Sequence, residues 1–483
     1  MTTALGMRTA LGLLGVVGPA TFAAPPGKAL SGLAINVNDA IRMRDEDIER
    51  VRALGANAVR FDLPWAQIER RAGEFDFSAY DSLLLRLQAA GLRAYLILDY
   101  GNLLYTPTIK TGPADPAQRA AFCRFVEASA RHYGGRGFIW EVWNEPDADH
   151  FWEPRANAAD YVELARRAAS ILRREAPGDP IVLPAAAGFN WPFLEACFRA
   201  GLLDLADGVS VHPYRPGPPE TVAKDWAKLR ALVKRFHPHR HIELICGEWG
   251  YSDATTPGLG LASAPGVGQA ILARPNPFKM RGYRMKPGLE GGFPDPLGGH
   301  QAVRLGTADK LDEPGRATSG LIADGLLRGG RYYTVSAYFR TAGPPLELRF
   351  GLADDHVETI EIDKTWRRVS LTIFARHTVD RMFQVYERAP NNPAWFMAFP
   401  QVEETDSEAA EQAAEAEHAS RMIRILETNL KSGVQFTVLY ALKDLGSNRY
   451  EPSHHLGLLD SRGDPKESYR RLQQWMMARA KRG

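Results

Sequence analysis

From residue 32 onward the chain alternates short β-branched or aromatic runs with amphipathic helical stretches, and no other feature limits its fold as much. The β-like runs are GLAINVN (32–38), NAVRFDLPW (57–65), RAYLILDYG (93–101), IWEVWNEPD (139–147), IVLPAAAG (181–188), DGVSVHPY (207–214) and HIELICGEWGYS (241–252). Helical patterns separate them at 41–56, 80–91, 116–133, 158–175, 193–200 and 220–236; in the first, Ile48, Val51 and Leu54 recur at helical spacing. Strands joined by helix-length crossovers pair in parallel. Seven such units need an eighth to close a barrel.

The eighth does not come next. Gly and Pro dominate from residue 253 to about 299, and period-two runs follow at 331–341, 346–354, 365–375, 381–389 and 394–404 with turn residues between them. They read as antiparallel strands of a β-sandwich, because no helical crossover intervenes. Roughly 150 residues is domain-sized, far beyond the ~15 that an unstructured loop usually reaches. The helix–strand rhythm then resumes with a helix at 408–431, the strand VQFTVLYALKD (434–444) and a closing helix at 465–480. The expected architecture is an α/β fold, a (β/α)8 TIM barrel with a jelly-roll-like β-sandwich inserted after strand seven. Its expected divisions are 1–24, 25–252, 253–406 and 407–483.

The fourth run stops at Asn144-Glu145-Pro146, and proline cannot extend a ladder. This presents an amide and a carboxyl at a strand's C-terminal end, where barrels of this kind carry their chemistry. Glu248 stands at the matching end of the seventh run. Across a narrow barrel the two carboxyls can face each other, as an acid/base and a nucleophile must in retaining glycoside cleavage. Arg60, Asp99, His212 and Tyr214 fall at other strand ends. An Arg and a Tyr beside a carboxylate favour its charged, nucleophilic form, whereas a less solvated carboxyl keeps its proton for acid catalysis.

These motifs, VWNEP at strand four, HPY at strand six and GEWGYS at strand seven, resemble clan A glycoside hydrolases, most closely those of family 39 or family 5. The resemblance covers the barrel part of the chain. It implies that Glu145 is the acid/base, Glu248 the nucleophile and Asn144 a ligand of the sugar 2-hydroxyl. It also implies that Arg60 and Tyr214 bond the nucleophile region and that His212 shapes the reacting subsite. Related barrels carry a Trp in strand eight, whereas this chain has Leu439-Tyr440, so Tyr440 is the expected platform. Trp152, in the loop after Glu145, leads the aromatic residues expected to stack on sugar rings; Trp249, Trp65, Tyr100, Tyr105 and Phe151 are the others. The inserted stretch resembles carbohydrate-binding modules of families 4 and 9, with Trp395, Tyr386 and Tyr333 as candidate contacts.

Charge separates these readings from other classes. Lys+Arg 59 against Asp+Glu 57 gives a net charge of +2, which offers no field for nucleic acid or an anionic membrane. No Cys/His cluster has zinc spacing, and the Gly-rich GLGLASAPGVG (258–268) precedes no helix pattern, so neither a metal nor an organic cofactor is expected. Three scattered cysteines make no disulfide framework. Residues 1–24 have a basic start, a short apolar core and small residues near Ala23, the layout of a secretory signal peptide, so a periplasmic or secreted location is expected. No later apolar run reaches the ~20 residues of a membrane span. The expected partner is a polysaccharide or oligosaccharide substrate; alternatives of a catalytically inactive polysaccharide binder and a transglycosylase stay open at this point.

Overall fold

The computed structural model describes residues 30–215, 217–254, 256, 258–259, 280–283, 290–305, 319–352, 356–387, 393–448 and 450–481. The predicted leader (1–24) and most of the Gly-rich stretch 258–268 lie outside the described residues.

Seven parallel strands come first: β1 (Gly32–Asn36), β2 (Ala58–Pro64), β3 (Arg93–Asp99), β4 (Ile139–Val142), β5 (Ile181–Ala186), β6 (Gly208–Val211) and β7 (Glu243–Trp249). The helices on this part of the chain are α1 (Asp45–Ala53), α2 (Trp65–Ile68), α3 (Ser78–Ala89), α4 (Pro116–Tyr133), α5 (Ala158–Glu175), α6 (Trp191–Arg199) and α7 (Ala223–Phe236). Local chemistry sets their starts: Asp115 accepts hydrogen bonds from the N–H groups of Ala117 and Gln118 ahead of Pro116, and Asn157 does the same for Ala159 and Asp160.

The chain then enters the insert. Strands β8 (Gly258–Leu259), β9 (Met280–Tyr283), β10 (Glu290–Phe293), β11 (Ala302–Leu305), β12 (Ser319–Leu327), β13 (Arg331–Thr341), β14 (Leu346–Leu352), β15 (Val357–Ile362), β16 (Arg367–Ala375), β17 (Val379–Glu387) and β18 (Trp395–Thr405) form two antiparallel sheets, ordered β10-β11-β18-β13-β16-β8 and β15-β14-β17-β12-β9. Helix α8 (Ser407–Lys431), β19 (Phe436–Leu439) and α9 (Glu467–Ala480) complete the chain.

The barrel closes in the order β1-β19-β7-β6-β5-β4-β3-β2, so the strand after the insert joins the first strand to the seventh. Period two explains the packing. Ala34, Ala58, Tyr95, Ile139, Val182, Ile245 and Phe436 fill the lumen, whereas the alternate residues pack beneath the helices. In the sandwich the same alternation sends Tyr333, Val335, Ala337 and Phe339 of β13 and Leu346, Leu348, Phe350 and Leu352 of β14 inward. Trp395 and Tyr333, expected as sugar contacts, belong to this buried core, so their rings stabilise the sandwich instead of facing a ligand. Tyr386 is half-buried. All three cysteines are free thiols.

Candidate active site

The strand ends converge on Arg60, which is 1% exposed at the centre of the barrel mouth. Its Nη1 donates to Asn36 Oδ1 and to Glu248 Oε2, both at 2.9 Å. Its Nη2 donates to Glu141 Oε1 at 2.6 Å and to Asn144 Oδ1 at 2.8 Å. Burial opposes the charge of the guanidinium, but Glu141 and Glu248 outweigh it and hold the group firmly protonated. Tyr95 donates its hydroxyl to the other Glu141 oxygen at 2.5 Å. The Arg60–Glu141 pair is therefore a fully buried base on which the mouth is assembled.

Glu145 arrives by an unusual backbone. Trp143 (φ 66) and Glu145 (φ 48) both adopt the left-handed region, which costs a non-glycine residue roughly 1–3 kcal/mol. Neighbouring strands over-determine the path: Trp143 N–H donates to Leu98 O at 3.1 Å, Glu145 N–H donates to Ala185 O at 2.9 Å, and the Trp143 indole donates to Phe151 O at 2.9 Å. The result turns the Glu145 carboxyl toward His212, whose Nδ1 lies 2.7 Å from Oε1. Arg60 can only donate, so with its Nη2 3.5 Å from His212 Nε2 the neutral imidazole carries its proton on Nδ1, facing Glu145. Burial pushes the Glu145 carboxyl up, but His212 and Arg60 outweigh it and hold it below its ordinary 4.5. Burial likewise lowers the His212 imidazole, while Glu248 and Glu145 more than compensate and raise it above 6.5.

Glu248 completes the arrangement. Oε2 accepts from Arg60 and Oε1 from the Tyr214 hydroxyl at 2.9 Å. Gly247 permits this approach, since a Cβ there would stand 1.8 Å from Ser210 Oγ and 3.2 Å from His212 Nε2. One oxygen of Glu145, one of Glu248 and a His212 ring nitrogen lie within 4.8 Å of one another. Tyr440 sits at the rim beside Tyr214, its ring centroid 6.5 Å away in an edge-on arrangement.

The structure thus brings together Arg60, Asn144, Glu145, His212, Tyr214, Glu248 and Tyr440. It separates three expected residues from the mouth. Trp152 is 1% exposed, packed on Trp143 and Tyr161 above Gly112, where any Cβ would strike its ring; it supports the loop from beneath and offers no stacking face. Trp249 is also fully buried, beside Tyr251. Asp99 is sealed in, with neither carboxyl oxygen hydrogen-bonded, and burial together with Asp62 pushes its carboxyl well above the usual range; buried this way it cannot touch a ligand. Trp65 is core, stacked on Tyr105, whereas Tyr100 and Phe151 stack on each other at the half-buried rim. Asn36, Glu141 and Asp62 complete the cluster without having been expected. Glu141 had a signal: a lone carboxylate inside a buried apolar run needs an internal cation. Burial, helped by Glu248 and Glu141 against Arg60, lifts Asp62 to about 6.

Two groups among the described residues have metal-compatible donors. In the first, Glu145, His212 and Glu248, the cationic role is already filled by Arg60. In the second, Asp253, Asp444 and His455, Lys466 Nζ stands 2.7 Å from Asp253 and 3.0 Å from Asp444, so an ammonium occupies the place of an ion.

No family model and no curated protein matches the chain. Among solved structures, a family 39 glycoside hydrolase from the gut symbiont Bacteroides cellulosilyticus WH2 aligns over 92% of this chain with a TM-score of 0.52 at 13% identity. The chain shares the (β/α)8 barrel fold of that structure. The chain spans 62% of the length of that structure. An exo-β-1,4-mannosidase from Opitutaceae bacterium strain TAV5 aligns over 94% of this chain and 60% of its own, at 14% identity and a TM-score of 0.46. A family 39 β-xylosidase from Caulobacter crescentus aligns over 76% and 98%, at 18% identity and a TM-score of 0.39. Within this barrel, Glu145 follows the end of strand four and Glu248 is the penultimate residue of strand seven.

Proposed function

We propose that the chain is a retaining glycoside hydrolase that cleaves O-glycosidic bonds in a polysaccharide or oligosaccharide. The observation that carries this is the separation of Glu145 and Glu248 oxygens by no more than 4.8 Å. Retention uses carboxyl groups about 5–5.5 Å apart, whereas inversion leaves about 6.5–9.5 Å for a water between them. Glu248 attacks the anomeric carbon as the glycosidic C–O bond breaks and Glu145 protonates the departing oxygen. Water, deprotonated by Glu145, then displaces Glu248 and releases the sugar with its configuration retained. Arg60 and Tyr214 hold Glu248 in line, and Asn144, anchored by Arg60 and Tyr100, is the ligand of the sugar's 2-hydroxyl in this reading. Tyr440 is the aromatic wall.

The barrel segments 25–252 and 407–483 form the catalytic unit in this reading, with residues 253–406 as the inserted, carbohydrate-binding-module-like part. An insert that leaves the mouth just beyond Glu248 suits a polymer, and the leader pattern in residues 1–24 favours an exported enzyme acting on a bacterial exopolysaccharide. A panel of polysaccharides and 4-nitrophenyl glycosides, with the anomer of the first product read by NMR, tests the reading. Retained configuration, and labelling of Glu248 by a 2-fluoro glycoside, are expected; an inverted first product would overturn it.

The pH profile carries a separate expectation. In the resting site His212 donates its proton to an ionised Glu145, so acid catalysis requires a second proton on this pair, and the two groups titrate together. Because His212 is raised above 6.5, that proton stays bound to a pH above 6.5 and leaves as the pH rises through the raised value. His212→Asn removes the imidazole and is expected to shift the basic limb of kcat/KM to lower pH. An unshifted basic limb would show that His212 does not share the catalytic proton.

A further inference from the structure

The loop that carries Tyr214 is held from outside the barrel. On one side, the sheet anchors it: His212 N–H donates to Ala186 O, and Tyr214 N–H donates to His212 O, both at 2.9 Å. The Tyr214 ring is 41% exposed, so its own packing does little to fix the hydroxyl on Glu248. On the other side stands Gly217, whose carbonyl accepts the Tyr251 hydroxyl at 2.8 Å. Gly217 has φ +91, and a Cβ there would lie 2.7 Å from Cβ of Thr359 on β15 of the sandwich. The Tyr251 ring lies 5.0 Å under the Arg421 guanidinium of α8. Arg421 in turn grips Glu358, the residue before Thr359, through a two-pronged pair at 3.2 and 3.0 Å. Both members of that pair are buried, as is Tyr251.

We propose that the inserted sandwich is a positioning element of the catalytic mouth, acting through Glu358, Arg421 and Tyr251 to fix the Tyr214 loop against Glu248. Tyr251 lies three residues beyond Glu248 and Gly217 three beyond Tyr214, so one phenol ties together the strand ends that carry both groups. Arg421 suits this role, since its planar fork engages Glu358 at a fixed angle while its face lies on the Tyr251 ring, a geometry that lysine cannot reproduce. The insert also packs on α8 and on Tyr450 through Tyr332 and Phe374, and it meets α7 in a contact different in kind. Lys224 and Glu347 meet at 3.7 Å with both side chains exposed, a geometry that holds little. Of these contacts, the Glu358–Arg421–Tyr251 chain is the one that leads to Gly217, next to the group that bonds the nucleophile. Its catalytic consequence rests on the glycosidase reading; its structural content does not.

Hydrogen–deuterium exchange on the full chain, without substrate, tests the coupling. Tyr251→Phe removes a single hydroxyl, and Glu358→Gln removes the charge at nearly constant shape. Both are expected to raise exchange in peptides covering 213–222 by about tenfold while the remaining barrel strands keep their protection. Glu347→Gln, at the exposed contact, is expected to leave these peptides unchanged. Unaltered exchange in 213–222 for both test variants, or uniform loosening of the whole barrel, would overturn the proposal. A second readout uses whichever 4-nitrophenyl glycoside the native chain turns over. Tyr251→Phe is expected to lower kcat with little change in KM, and to lose that effect in a Tyr214→Phe background; additive losses would overturn action through Tyr214. A native chain inactive on the whole panel would remove the glycosidase reading, while the exchange result would still decide the coupling.

Discussion

Glu248→Gln and Glu145→Gln are each expected to leave a folded protein whose turnover has fallen steeply, by roughly 10⁴-fold or more for the nucleophile. Glutamine keeps the shape of both side chains. At 248 the amide oxygen still accepts from Arg60 while the NH2 can donate to the Tyr214 hydroxyl, and Arg60 retains its buried partner Glu141, so stability should change by less than about 1 kcal/mol. At 145 it still accepts from His212 Nδ1, but it can neither give a proton to the departing oxygen nor take one from water. The two roles separate by leaving group. A 4-nitrophenolate departs with little protonation, so Glu145→Gln should form the covalent intermediate from an activated aryl glycoside far better than from a sugar–sugar linkage. Glu248→Gln should fail on both. Pre-steady-state release of nitrophenol, measured beside steady-state cleavage of the polymer, checks this. Equal losses on both substrates for Glu145→Gln would remove it as the acid, and full turnover by either variant would remove the mechanism.

The barrel was legible because its periodicity is a property of each segment alone: RAYLILD is buried throughout, as a strand covered on both faces must be. The eighth strand could be recognised beyond a long insert for the same reason. Strand-end residues with their own directional chemistry, such as Glu145, Glu248 and Arg60, were also legible. What was not legible is which way a ring faces. Trp152 and Tyr440 follow strand ends alike, yet one packs above Gly112 and the other lines the mouth, and that difference depends on contacts with residues far away in sequence. Asp99 failed for a related reason: being on the lumen side of a strand end does not provide an opening to solvent. β15 escaped notice because its short run VETIEI carries glutamates at positions 358 and 361, one of them buried against Arg421 of α8 and His356.

Arg60→Met is expected to have the largest effect on stability. Arg60 and Glu141 are both sealed from water, and removing one partner leaves the other's charge uncompensated in the lumen, a loss of about 3–5 kcal/mol. A domain has only about 5–15 kcal/mol of net stability to lose. The Tyr95 hydroxyl, already committed to Glu141, cannot replace a cation. The same substitution removes the donors to Glu248, Asn144 and Asn36, so stability and activity fall together and the single variant cannot say which role matters. Arg60→Met with Glu141→Gln separates them. Neutralising both partners removes the stranded charge, and Tyr95 can still donate to the amide oxygen, so most of the lost stability should return. Activity should not, because Glu248 still lacks its buried cation. Urea unfolding at neutral pH, run beside turnover of the active glycoside, tests both halves. A single variant that loses less than about 1 kcal/mol would mean that water reaches Glu141 and that the base of the mouth is not dry. A double variant that recovered turnover along with stability would show that Arg60 serves the fold alone, and that Tyr214 by itself suffices to hold the nucleophile.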